Sequence, residues 1–87
     1  MFKYITHNWN MSQDIKFQIR NKVAYNVNKY RKLSGLNKEQ LSLAIGMDNS
    51  YISKLEKGKV NSTIDVIEAI AKIFDVSVEE FFKLPEK

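Results

Sequence analysis

The sequence predicts an all-α domain, compact and built from five helices. Three observations carry this expectation. Glycine and proline, present three times and once, stand between apolar stretches rather than inside them. Apolar residues recur at steps of three and four, the period of one helix face. Residues that favour helix caps stand at the ends of those stretches. No strand pair, internal repeat or low-complexity run interrupts the pattern.

The first helix is expected from Asp14 to Leu33. Ile15, Ile19, Val23, Val27, Tyr30 and Leu33 form its apolar face. Ser12 is its candidate N-cap, and Gly35 sits where a left-handed C-terminal cap is wanted. Asn37 is expected to cap the second helix, "KEQLSLAI", which Gly46 stops. Asp48 is expected to cap the third, "NSYISKLEK", which Gly58 stops. Ser62 or Thr63 caps a fourth, whose Ile64, Ile67, Ile70, Ala71 and Phe74 follow the i, i+3, i+4, i+7 rule. Ser77 and Glu80 read as a capping box opening a fifth short helix, "VEEFFK", before Pro85. Phe81 and Phe82 are adjacent on it, so both cannot point inward. One of them is a candidate subunit contact.

At 87 residues the chain makes one small domain. It has no cysteine, which excludes a disulfide, a thiolate nucleophile and a thiolate metal site, and fits a reducing cytoplasm. His7 is the only histidine, which argues against a histidine metal cluster or a Ser-His-Asp triad. The carboxylates are scattered and no glycine-rich phosphate loop precedes a helix, so no enzyme is expected. No cofactor or small-molecule ligand is expected either. No apolar run approaches the roughly 20 residues of a membrane helix, and "MFKYITHNWNM" lacks the apolar stretch of a signal peptide. Phe2, Tyr4, Ile5 and Trp9 are apolar enough to pack on the domain or on a second subunit.

Charge is divided along the chain. Of the net +4, residues 1–38 hold eight Lys/Arg against Asp14 alone, while the segment from Asp65 onward is net acidic. A basic front suggests a polyanionic partner.

The second and third helices are short and joined only by "GMD", which is helix-turn-helix spacing. Ser42 is small where they would cross, and Ile45, Ile52 and Leu55 supply inward contacts. The third helix is otherwise polar. A helix entering the DNA major groove must present amides, hydroxyls and ammonium groups to base edges. Asn49, Ser50, Ser53 and Lys54 are the candidates for that face. Asn49 and Ser50, nearest the start, are expected to reach deepest.

The stretch "LNKEQLSLAIGMDNSYISKLEKGKVNSTIDVIEAIAKIFDVSVEEFF" resembles the lambda repressor-like (Cro/CI-type) helix-turn-helix domain. Its markers are "L-x-x-A-I-G", "YISKLEKGK" and "IAKIFDVS". Within that family, "YIS-x-x-E-x-G-K-x-N" most resembles controller proteins of restriction–modification systems and small repressors. The resemblance covers about residues 23–82. It implies a DNA-binding domain over residues 17–87, with residues 1–16 as an N-terminal extension.

The resemblance also implies residue roles. Asn49, Ser50 and Lys54 match positions that touch bases. Lys38, with Asn37 beside it, matches a position that meets the phosphate backbone. Tyr51, Lys57, Lys59 and Asn61 match positions that often face phosphates. Arg31 and Glu56 match an internal ion pair that ties helix one to helix three in some members. This chain departs from the pattern at Asn49, where controllers often have arginine. It departs again at Leu43, which is either packed or an exposed patch for a partner.

One reading helix, over about residues 49–57, discriminates too few base pairs to find one site in a genome. A homodimer on double-stranded DNA, on a pseudo-palindromic operator, would double the readout. The expected function is therefore a repressor or autoregulator. The alternative is an antitoxin-type protein-interaction module using the same fold, with Leu43 or the N-terminal arm holding its partner.

Overall fold

The computed structural model describes residues 11–84, with side chains from Ile19 onward. Among these residues the fold is all-helical. It has four α-helices, α1 (Met11–Ser34), α2 (Lys38–Ala44), α3 (Tyr51–Glu56) and α4 (Ile64–Phe74), followed by a 3-10 helix over Val78–Phe82. None of the helices is long and apolar enough to cross a membrane. Phe2, Tyr4, Ile5, His7 and Trp9 lie outside the described residues.

Helix α1 starts three residues earlier than the apolar period suggested, so Ser12 lies inside it rather than at its cap. It also runs unbroken past residue 16, the end of the expected N-terminal extension. From Ile19 onward, Val23, Ala24 and Val27 are buried, whereas Ile19 and Leu33 are 43% and 76% exposed. At Ile19 and Leu33 the apolar face therefore reaches beyond the core it covers.

The core is Val23, Val27, Leu41, Ile52, Leu55, Ile67, Ile70, Ala71 and Phe81, one cluster drawn from every element. In α4, Ile67, Ile70 and Ala71 are buried, but Ile64 is 81% exposed. It has the right spacing for the apolar face and still misses the core. A helical side chain leans back toward the N-terminus, and at the first residue of α4 no preceding turn lies beneath it. Thr63 caps this helix, its hydroxyl accepting from the Val66 amide at 3.2 Å.

The fifth expected helix is a 3-10 turn, and the Ser77 side chain makes no capping bond. The Glu80 carboxylate is engaged elsewhere: it accepts from the Tyr30 hydroxyl at 2.9 Å and from Lys83 at 2.8 Å. Three residues per turn place Val78 and Phe81 on one inward face. Phe81 is fully buried and Val78 packs on the core, while Phe82 is 41% exposed. The Tyr30 ring stacks on Phe74 at 6.0 Å and meets the edge of Phe81 at 5.8 Å. Asn26, buried on α1, donates to the carbonyls of Lys22, Phe81 and Lys83 at 2.9, 3.3 and 3.0 Å. Together with the Tyr30–Glu80 bond, this amide fastens the C-terminal turn to α1.

Beside the apolar contacts of Leu41, Ile52 and Leu55, a single hydroxyl bridges α2 and α3. Ser42 is fully buried, and its Oγ donates to the Lys38 carbonyl at 2.8 Å while accepting the Ile52 amide at 2.9 Å. That amide lies in the first turn of α3, where no carbonyl of its own helix can serve it. Ser42→Ala should therefore orphan a buried N–H and lower stability by about 1–3 kcal/mol. Urea unfolding measures this, and a loss within error would mean that water replaces the hydroxyl.

Candidate nucleic-acid interface

Both ends of α2 are built by hydrogen bonds that the sequence made available. Asn37 caps α2 through its side chain, which accepts the Gln40 amide at 2.7 Å, and the Asn37 amide in turn donates to Gln40 Oε1 at 2.9 Å. The pair is a full capping box. At the other end Gly46 adopts φ +78°, with Gly46 N–H bonded to Leu43 O and Met47 N–H bonded to Ser42 O, both at 3.0 Å. This is a Schellman closure, and its left-handed residue carries no Cβ. Gly58 ends α3 in the same way, with φ +73° and bonds to Leu55 O and from Lys59 N–H to Lys54 O. A Cβ on Gly58 would also come within 2.9 Å of Asn21 Oδ1.

Helix α3 is shorter than the expected 49–57: it begins at Tyr51 and ends at Glu56. Asn49 and Ser50 form the turn that enters it, and Ser50 rather than Asp48 is the N-cap. Asp48 still acts on this end. Its Oδ1 accepts the Ser50 amide at 2.9 Å and the Ser50 hydroxyl at 2.8 Å, and its carbonyl accepts the Tyr51 amide at 3.1 Å. The Asp48 side chain thus caps from two residues further back, which delays the first helical residue. The Ser50 hydroxyl bond, then the Ser50 amide, hold the Asp48 carboxyl below the usual carboxylate range.

Ile52 and Leu55 are buried and turn one side of α3 into the core. At about 100° per residue, Ser50, Ser53, Lys54 and Lys57 fall on the opposite side. Asn49, Lys54 and Lys57 are exposed, and Ser50 and Ser53 are partly so. Lys38, Asn37, Lys59 and Asn61 are exposed on the flanking elements. Tyr51 is half-buried, packs against the core and pairs its hydroxyl with Ser62 Oγ at 2.9 Å. Ser62 therefore braces α3, and Thr63 caps α4. Leu43 is 58% exposed.

Behind α3 lies the ion pair. Arg31 Nε donates to Glu56 Oε2 at 2.7 Å and Nη2 donates to Oε1 at 3.2 Å, a two-pronged contact between side chains only 10% and 6% exposed. The remaining groups are also used: Arg31 Nη1 donates to Leu36 O at 3.0 Å, and Asn28 donates to Glu56 Oε1 at 2.8 Å. This pins the end of α3 to α1 and to the loop before α2. Sequence reasoning overlooked Asn28 and Gln40. Gln40 was legible as the partner three residues after Asn37. Asn28 had no signal, because its acceptor is 28 positions away.

The chain is similar to known regulators. The helix-turn-helix family HTH_3 matches residues 27–81. The HTH-type transcriptional regulator PuuR of Escherichia coli is 31% identical over 61 residues, 70% of this chain but 33% of PuuR. The chain thus spans about a third of that relative's length. The control protein C.SmaI of Serratia marcescens is 35% identical over 66 residues, covering 75% of this chain and 79% of C.SmaI. The crystal structure of the restriction-modification controller protein C.AhdI from Aeromonas hydrophila superposes with a TM-score of 0.67 at 28% identity, covering 72% of this chain and 96% of that one.

Proposed function

The chain belongs to the helix-turn-helix family of DNA-binding transcription regulators, and from that premise we propose that it reads a pseudo-palindromic operator as a homodimer, as a repressor or autoregulator. The observation that carries this reading is the polar outer side of α3, where Ser50, Ser53 and Lys54 stand opposite the buried Ile52 and Leu55 with Asn49 at its entrance. In this reading these four side chains meet base edges in the major groove. Asn37, Lys38, Tyr51, Lys57, Lys59 and Asn61 approach phosphates on either side.

Selection from randomised duplex DNA tests the proposal. The full chain should enrich two half-sites about 34 Å apart, one helical turn. Asn49→Ala should relax the preference at one position without unfolding the protein. Lys38→Ala and Lys59→Ala should weaken binding to every sequence and each lower the salt slope by about 1. Enrichment of no sequence would refute the reading, and an unchanged salt slope would remove the two lysines from the phosphate contacts.

The second copy needs a surface. Ile19, Ile64 and Phe82 are exposed around one largely apolar cavity of about 210 Å³ between α1 and the start of α4. Asn61 lies on the same rim, so a twin seated there would stand beside the DNA-facing loop. Phe82→Asp should shift sedimentation from dimer to monomer and weaken operator binding. A dimer that survives the substitution places the contact elsewhere.

A further inference from the structure

Ser50 has one hydroxyl proton, and Asp48 Oδ1 holds it at 2.8 Å. The same carboxylate oxygen takes the Ser50 amide at 2.9 Å, so the side chain is fixed by its own backbone. A serine hydroxyl normally offers a proton or a lone pair to whichever group it meets. Here the proton is committed, and only lone pairs remain on the outward side.

We propose that Asp48 is a specificity-determining residue, which makes Ser50 an obligate acceptor and directs it to bases that carry an amino group in the major groove, cytosine through N4 or adenine through N6. Guanine presents acceptors N7 and O6 at that edge, and thymine presents O4 and a methyl group. Neither can donate to Ser50. The exposed Asp48 carboxylate adds repulsion against an acceptor-rich guanine edge and matches an amino group instead. Asp48 is charged at neutral pH as any exposed aspartate is, and its bonds to Ser50 lower its carboxyl further. The inference rests on the reading of α3 as the base-reading element and deepens it: Asp48 chooses the base type without being assigned a base of its own.

The test is selection from randomised duplexes with the full chain and three variants, followed by affinity measurements on the enriched site with each base at the Ser50 position. The unmodified chain should favour cytosine or adenine there over guanine or thymine by about tenfold. Asp48→Asn keeps an oxygen for both Ser50 bonds and should keep most of the preference, losing only the part due to charge repulsion against guanine. Asp48→Ala releases the proton and should bring the four bases to within about twofold. Ser50→Ala keeps the Asp48 bond to the backbone amide and should erase the preference too, which shows that the preference is read through the Ser50 hydroxyl. Should Asp48→Ala fail to fold, Asp48→Gly gives the same release of the proton and the same expected loss of preference. A defined operator whose base choice survives either alanine substitution overturns the role of Asp48 and leaves the regulator reading standing. Enrichment of no sequence by the unmodified chain overturns both.

Discussion

Glu56→Ala is expected to lower the stability of the domain by about 3–5 kcal/mol. The substitution leaves the Arg31 guanidinium in place, 10% exposed, with Leu36 O as its one remaining bond. It also strands the Asn28 amide, which donates to the same carboxylate. The large term is the uncompensated buried charge, not the strength of the pair itself. Replacing both partners separates the two. Arg31→Met combined with Glu56→Leu removes the charges together and should recover most of the loss, because desolvation offsets much of a buried pair's attraction. Urea unfolding of the single and double variants measures this. A single-variant loss below about 1 kcal/mol would mean that the pair behaves as an exposed surface contact. Operator affinity adds a second readout. The pair ties the last residue of α3 to α1, so the double variant should be stable and still bind less selectively.

Phe81→Ala is the second large effect, about 3–5 kcal/mol. Its ring is fully buried, meets the edge of Tyr30, and belongs to the same cluster as Val27, Leu41 and Ile70. A cavity there cannot close easily, because the neighbours come from different helices. The backbone carbonyl of Phe81 is also one of the acceptors of Asn26, so loosening the turn exposes a second weakness. Phe82→Ala is the control. It removes a ring that is 41% exposed and should cost the isolated domain far less. Thermal melting of the two variants checks the contrast, and equal shifts would mean that both rings are packed alike.

Adjacent phenylalanines illustrate how far the sequence could be read. That one of the two must point outward follows from any helical geometry. Which one depends on the pitch: in a 3-10 turn Val78 and Phe81 align inward and Phe82 is left outside. The start of α3 was misplaced for a related reason. Asp48 looks like a cap, and it does cap, but through a turn that carries its bond to Ser50 and delays the helix to Tyr51. Ile64 and Leu33 fit the apolar period and still lie exposed, because periodicity records a face and not how far the neighbouring elements extend along it. Asn26 shows the opposite failure. A polar residue between Val23 and Val27 reads as an interruption of the face, yet it is buried and serves carbonyls more than 50 residues away.

By itself the sequence determined the all-α class, the order of the four α-helices, the turns at Gly46 and Gly58, and the family. These depend on local chemistry: apolar spacing, capping side chains, and residues that tolerate a left-handed backbone. Only the tertiary structure decided where α3 begins, that the last element is a 3-10 turn, which phenylalanine is buried, that Asn28 joins the expected Arg31 on Glu56, and which partners engage Ser42 and Asn26. The start of α3 turns on a local competition between Asp48 and Ser50 for the cap, whereas the buried partners are groups distant in the chain that meet only after packing. A buried polar atom must take whatever partner the packing brings to it.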